Sequence, residues 1–122
     1  MRYDIVLIGA GIICLLGGEA LGLWMASHEN FTLAPAHAHL NLVGWVSLSL
    51  YGLAYRAYPG LAQSRLAATQ AIVAIVAAVT VPFTIAYTLL GGSPLPAILN
   101  SLLIVLGTLL FALMFFRRAG KA

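Results

Sequence analysis

Charged residues are scarce in this 122-residue chain and make up only 7% of its positions. In ordinary globular domains about a quarter of the residues are Asp, Glu, Lys or Arg. Hydrophobic residues account for 62% of the chain, which is more apolar surface than a core of this size could keep from water. The composition therefore excludes a soluble domain and indicates that lipid surrounds most of the molecule.

Cysteine and acidic residues are also rare. The single cysteine, Cys14, excludes an intrachain disulfide, and the three acidic residues are Asp4, Glu19 and Glu29. The six basic residues give a net charge of +3, but they lie at the ends of apolar segments and form no patch with aromatic residues. This placement argues against nucleic-acid binding and is typical of charges that orient a protein in a membrane.

Four apolar runs are each long enough to cross a hydrocarbon core of about 30 Å, which takes roughly 20 helical residues. They cover residues 5–26, 36–57, 66–90 and 96–116, and the short connectors between them contain Pro, Gly or polar residues. The first run exceeds the usual core of a cleaved signal peptide and follows Asp4, so we expect a retained helix. The sequence predicts an all-α membrane protein, one four-helix transmembrane domain spanning residues 1–122.

The basic residues predict how the helices are oriented. Arg2 precedes the first helix, Arg56 and Arg65 flank the second connector, and three further cations follow the fourth helix. The positive-inside rule then places both termini and the middle connector in the cytoplasm. We expect a multi-pass protein of the inner (cytoplasmic) membrane, with its histidines near the outer face.

Several small or polar residues within the runs predict helix packing. Gly18-x-x-x-Gly22 allows another helix to approach closely. Pro82 predicts a bend that neighbouring threonines can help to satisfy, and Asn100 and Ser101 are candidates for hydrogen bonds across helices.

Glu19 is the only acidic residue deep inside a predicted span. An intramembrane carboxyl group is costly and usually faces protein or water. It is either a protonated acid hydrogen-bonded inside the bundle, or a proton carrier or a partner for the surroundings of a cofactor.

His37 and His39 stand at the start of the second apolar run. Successive helical side chains are about 100° apart, so the two imidazoles point about 200° apart and cannot chelate one metal from one helical face. As ligands they would serve different sites, or a site shared with a neighbouring chain. The alternatives are solvated histidines, a bond to a neighbouring helix, or binding of zinc or copper.

The sequence PAHAHLNLVGW at 35–45, followed by SLYGLAYR at 49–56, resembles the tenth transmembrane helix of the catalytic subunit of heme–copper oxidases, particularly the C-type cytochrome oxidases. In that helix a His-x-His precedes a Leu-Gly-Trp-like segment and then Tyr/Phe-Gly-Leu-Tyr-Tyr. In the family, one histidine ligates a low-spin heme and the other a high-spin heme on the far side of the same helix.

The resemblance also implies an architecture. The family's large subunit has twelve helices in three pseudo-equivalent groups of four, and this chain resembles one such group. We therefore expect a homotrimer. Heme b would be held between protomers by His37 of one chain and His39 of the next, giving up to three hemes per trimer.

The chain departs from the family in its remaining histidines. Only His28 is left, beside Glu29 in the outer connector, so the copper ligands needed for oxygen reduction are missing. We expect electron transfer with a redox partner protein or a quinol, and His28 is a further candidate metal ligand. The alternatives are a copper or zinc site built from His37, His39 and His28 of several chains, and a cofactor-free small subunit of a larger membrane complex.

Overall fold

The computed structural model describes residues 1–121, and helices are the only regular secondary structure among them. The elements, in chain order, are α1 (Tyr3–Ser27), α2 (Ala34–His39), a π-helix (Leu40–Ser47), α3 (Leu48–Ala57), a 3₁₀ turn (Pro59–Leu61), α4 (Ala67–Leu89) and α5 (Leu95–Arg118). The four predicted helical runs are confirmed, with ends that differ by one or two residues.

The second run is one continuous rod of three parts, α2, the π-helix and α3, which we call the histidine helix (residues 34–57). Both junctions keep helical backbone angles, with φ −60° and ψ −41° at Leu40 and φ −64° and ψ −39° at Leu48. Pro35 lies in the first turn, where its missing N–H costs no hydrogen bond, so the helix begins earlier than predicted. The eight-residue π-helix was not predicted.

Three uninterrupted helices, α1, α4 and α5, are long and apolar enough to cross a membrane, with mean hydropathies of 2.1, 2.2 and 2.4. The histidine helix covers 24 residues, within the range that a membrane-spanning helix needs. The apolar helices are those of a multi-pass membrane protein.

Glycines bring α1 and the histidine helix into close contact. A Cβ atom at Gly52 would stand 2.6 Å from Ile8, and one at Gly44 would stand 2.6 Å from Cys14. At Gly18 the same atom would overlap the side-chain amide of Asn41. The predicted close approach at Gly18 and Gly22 is confirmed, and the helix that makes it is the histidine helix.

Asn100 joins α4 to α5. Its Nδ2 donates to the carbonyl of Ala77 at 3.1 Å, and its Oδ1 accepts from the Thr84 hydroxyl at 2.9 Å. The predicted bond across helices is therefore confirmed for Asn100. It is wrong for Ser101, whose hydroxyl donates to Ala97 of its own helix because that carbonyl is one turn away.

Pro82 lies buried within α4. The Thr80 hydroxyl lies 2.6 Å from the carbonyl of Val76, and Thr84 lies 3.1 Å from that of Val81. Both carbonyls precede the proline, and neither is that of Ala78, four residues before it, which Pro82 leaves without its helical donor.

A second buried polar group links the histidine helix to α4. Tyr55 is 4% exposed, and its hydroxyl lies 2.9 Å from Oε1 of Gln70, which is fully buried. Gln70 Nε2 in turn donates to the carbonyl of Gly107 on α5 at 3.4 Å. This chain of contacts ties three helices together through one tyrosine.

The helices run up and down, so alternate connectors and both chain ends meet at one end of the bundle. The two ends differ in charge. The ring of Tyr3 packs on that of Tyr55, with centroids 5.4 Å apart, and Arg118 Nε donates to the carbonyl of Gly60 at 3.0 Å. The start of α1, the 58–66 connector and the end of α5 therefore meet at one end, which carries all six Lys and Arg residues. The three histidines belong to the other half.

Candidate functional site

His39 is the last residue of α2 and is exposed on the surface of the protomer. Its Nδ1 lies 2.8 Å from the carbonyl oxygen of Pro35, one turn earlier. A carbonyl only accepts, so Nδ1 carries the proton of the neutral ring and Nε2 keeps its lone pair. A backbone carbonyl that fixes the tautomer in this way is the usual partner of a metal-ligating histidine.

His37 is half-buried between the histidine helix and α1. A Cβ atom at Gly22 would stand 3.1 Å from its Cε1, so the absence of a side chain at Gly22 leaves room for the ring. Asn41 Nδ2 donates to His37 Nε2 at 3.2 Å. The neutral ring then carries its proton on Nδ1, which is buried and has no hydrogen-bond partner among residues 1–121.

The two imidazoles lie on different sides of the histidine helix, as their spacing predicts. His37 faces α1, whereas His39 faces away from its own protomer. In both rings the lone pair is on Nε2, the nitrogen that a metal would take. The Nε2 lone pair of His39 is free on the surface, whereas that of His37 accepts from Asn41.

Three polar atoms of the histidine helix are buried against α1 without a partner in the described part of the chain. They are His37 Nδ1, Asn41 Oδ1 and Ser49 Oγ. Asn41 and Ser49 face two further glycines of α1, and a Cβ at Gly11 would stand 2.8 Å from the Ser49 hydroxyl. Asn41 was part of the sequence motif but received no role, since nothing in the sequence shows that it contacts the imidazole.

His28 lies just after α1 and is exposed. Its Nδ1 is 2.9 Å from the carbonyl of Trp24, and its ring stacks on the Trp24 indole with centroids 4.8 Å apart. The neighbouring Glu29 is also exposed and adopts a left-handed φ of 49°. These contacts hold the His28 ring against the last turn of α1 in its own chain.

Glu19 lies on the exposed surface of α1 and not inside the bundle. Of the two alternatives for Glu19, the hydrogen-bonded acid is not seen within one protomer, because the buried face of α1 is taken by residues such as Gly11, Cys14 and Gly18. Whatever satisfies this carboxyl group comes from outside the protomer.

Within residues 1–121, no three His, Cys, Asp or Glu side chains are grouped closely enough to hold a metal ion. No protein-family model, curated protein or solved structure matches the chain.

Proposed function

We propose that this protein binds heme b in the membrane and carries electrons, with the iron held between protomers by His39 of one chain and His37 of the next. The observation that carries the proposal is the tautomer of His39. The Pro35 carbonyl holds its proton on Nδ1 at 2.8 Å and leaves the Nε2 lone pair on the outer surface. Imidazole nitrogens on both faces of the iron are the ligands of many electron-transfer hemes.

His37 can take the same role if iron replaces the hydrogen bond from Asn41 at its Nε2. Its Nε2 lone pair now accepts from Asn41 at 3.2 Å, and iron would take the place of that amide. The proton is already on Nδ1, so ligation requires no change of tautomer. Within one protomer the ring is turned towards α1, so ligation of an iron shared with a neighbouring chain also requires the ring to turn out of that contact.

Glu19 supports assembly independently. A carboxyl group exposed on a membrane-spanning helix is costly when it faces lipid, and a subunit interface would cover it. We propose the homotrimer that the oxidase-like motif implies, with closed cyclic symmetry. Such an assembly would also bring His39 of one chain to a neighbour.

Electron transfer fits these ligands better than oxygen reduction. Iron with two histidine ligands has no open position for a gas. The described residues offer no second cluster for copper. We therefore propose exchange of electrons with a redox protein or a quinol, at the outer side of the inner membrane.

Absorption spectroscopy of the protein purified from heme-replete cells tests the proposal. The wild type should show the sharp bands of reduced low-spin heme b, and His37→Ala and His39→Ala should each lose them. His28→Ala is the matched control and should keep them, since His28 is held in its own loop. Light scattering should give the mass of a trimer.

Retention of the low-spin bands in both site variants would refute the ligand assignment. A colourless wild type that carries stoichiometric copper or zinc would favour metal handling instead. A colourless, metal-free wild type would favour a small structural subunit of a larger complex.

A further inference from the structure

A cavity of about 450 Å³ opens at the cationic end of the bundle, between the start of α4 and the end of α5. Four cationic side chains line it, those of Arg65, Arg117, Arg118 and Lys121. Leu113 and Met114 form part of its apolar wall. A basic mouth with an apolar wall distinguishes this cavity from the rest of the surface.

Within residues 1–121, no acidic side chain lines this cavity. Of the three acidic residues, Asp4 pairs with Arg2 at 2.7 Å, while Glu19 and Glu29 belong to the opposite half of the bundle. Arg118 is oriented by its bond to the Gly60 carbonyl, which fixes one guanidinium at the rim. Four cations with no acidic side chain beside them in the described part of the chain form a site for an anion.

The backbone adds to the same field. Helix α4 begins at Ala67, directly after the lining residues Ser64, Arg65 and Leu66. The first turn of any helix has N–H groups without intrahelical partners, and a partial positive charge. At this helix start the Ala67 N–H already donates to the Ser64 carbonyl at 3.2 Å, so the backbone contributes the partial charge of the helix end and not that donor.

A second cavity at the same end makes the contrast clear. It measures about 200 Å³ and is lined by Arg2 and Arg56, but also by Asp4. The Arg2–Asp4 ion pair neutralises part of its charge. Both cavities lie at the cationic end, so the positive charges that orient the protein in the membrane do not explain why, among the described residues, only the smaller cavity contains an acidic side chain. Binding of an anionic ligand in the larger cavity would explain this difference.

The position of the larger cavity indicates where its ligand comes from. Arg117 and Arg118 directly follow Phe115 and Phe116 at the end of α5, and Phe116 is 84% exposed. Aromatic and basic residues in this order mark the level of lipid headgroups. The phosphates nearest to the cavity are therefore those of the surrounding leaflet.

We propose that this cavity binds the phosphodiester headgroup of an anionic phospholipid, with Arg65, Arg117, Arg118 and Lys121 around the phosphate and an acyl chain against α5. The site is independent of heme binding. It rests only on the cavity, its charge and the membrane setting of the chain.

Thermal unfolding of the full chain in a zwitterionic or neutral detergent tests the proposal. Phosphatidylglycerol is titrated as the anionic lipid, with phosphatidylcholine and inorganic phosphate in parallel. A ligand that binds the folded state raises the unfolding temperature in proportion to its affinity. Phosphatidylglycerol should raise the temperature for the wild type, and the other two should not.

The variants isolate the cavity. Arg65→Gln/Arg117→Gln should weaken the apparent affinity for phosphatidylglycerol roughly thirtyfold, as expected for two cations near an anionic lipid surface. Arg2→Gln/Arg56→Gln removes the same charge from the same end and should leave the affinity unchanged. Arg65→Lys/Arg117→Lys keeps both charges and should restore most of the binding, which guards against simple misfolding of the first variant.

Equal loss of affinity in both glutamine variants would overturn the site, because it would show a response to overall charge. An equal response to phosphatidylcholine would also overturn it. Stabilisation by inorganic phosphate alone would assign the cavity to a free anion and overturn the lipid assignment.

Discussion

The imidazole of His37 packs directly on Gly22, so that a Cβ atom there would stand 3.1 Å from the ring's Cε1. This contact sets the depth at which the ring enters the seam between α1 and the histidine helix. Together with the bond from Asn41, it fixes the orientation of one of the two candidate ligands.

Gly22→Ala should disturb that ligand without unfolding the protein. A contact of 3.1 Å requires a shift of the imidazole by a few tenths of an ångström. We expect the heme bands to persist with a displaced midpoint potential, measured by redox titration. Gly9→Ala on the same helix is the control, because a Cβ at Gly9 meets no atom within 4 Å, and an unchanged potential in Gly22→Ala would contradict the contact's role.

Asn41→Leu tests whether the amide competes with iron for His37. Removal of the donor frees Nε2, which accepts from Asn41 at 3.2 Å. We expect the variant to keep its low-spin heme. When the purified protein is diluted in detergent, the variant should lose less heme than the wild type. Loss of heme to the extent seen in His37→Ala would show that Asn41 supports the ligand.

Gly18→Ala should destabilise the α1 seam. The new methyl group would overlap the Asn41 amide, and overpacking of this kind costs about 1–3 kcal/mol. The thermal unfolding midpoint in detergent should fall, whereas Gly9→Ala should leave it unchanged or slightly raised, as alanine favours a helix over glycine. Equal midpoints for the two variants would contradict the close packing.

Tyr55→Phe should lower stability through the buried amide that it leaves behind. The Tyr55 hydroxyl lies 2.9 Å from Oε1 of Gln70, and a buried polar group without a partner costs about 1–3 kcal/mol. Tyr58→Phe is the control. Tyr58 is 40% exposed, so water can replace its hydroxyl as a hydrogen-bond partner and the loss of that hydroxyl should cost little stability. Denaturation followed by circular dichroism measures both, and similar midpoints would argue against the network.

Single cysteines at the two ends of the bundle test the proposed orientation. Ser27 and Gln63 are both exposed, at the histidine end and the cationic end respectively. In intact cells an impermeant maleimide should label Ser27→Cys and not Gln63→Cys. Cys14 is buried and should remain silent, and Cys14→Ala provides the background. The reverse labelling would invert the assignment.

Much of the helical architecture could be predicted because lipid leaves the chain few choices. Apolar runs of about 20 residues must satisfy their own backbone, so the four helices and their connectors follow from length and composition. The separation of His37 from His39 follows from helical geometry alone. Neither inference requires knowledge of what the helices contact.

The features that were not predicted depend on contacts between distant residues. Tyr55 and Gln70 lie on either side of a connector, and no local pattern shows that their side chains meet. The exposure of Glu19 depends on which face of α1 meets the histidine helix, and an apolar run conceals that choice. The π-helix at Leu40–Ser47 likewise has no signature in its residues.

The π-helix separates the two imidazoles from the Tyr55 network along one rod. Its turns are wider than those of the α-helix, because each backbone bond reaches one residue further. A one-residue insertion or deletion inside Leu40–Ser47 could therefore rotate the histidines about the rod while the tyrosine end stays locked to α4 and α5. The direction of the two histidine side chains and the packing of the helix against α4 and α5 can in this way change separately over evolutionary time.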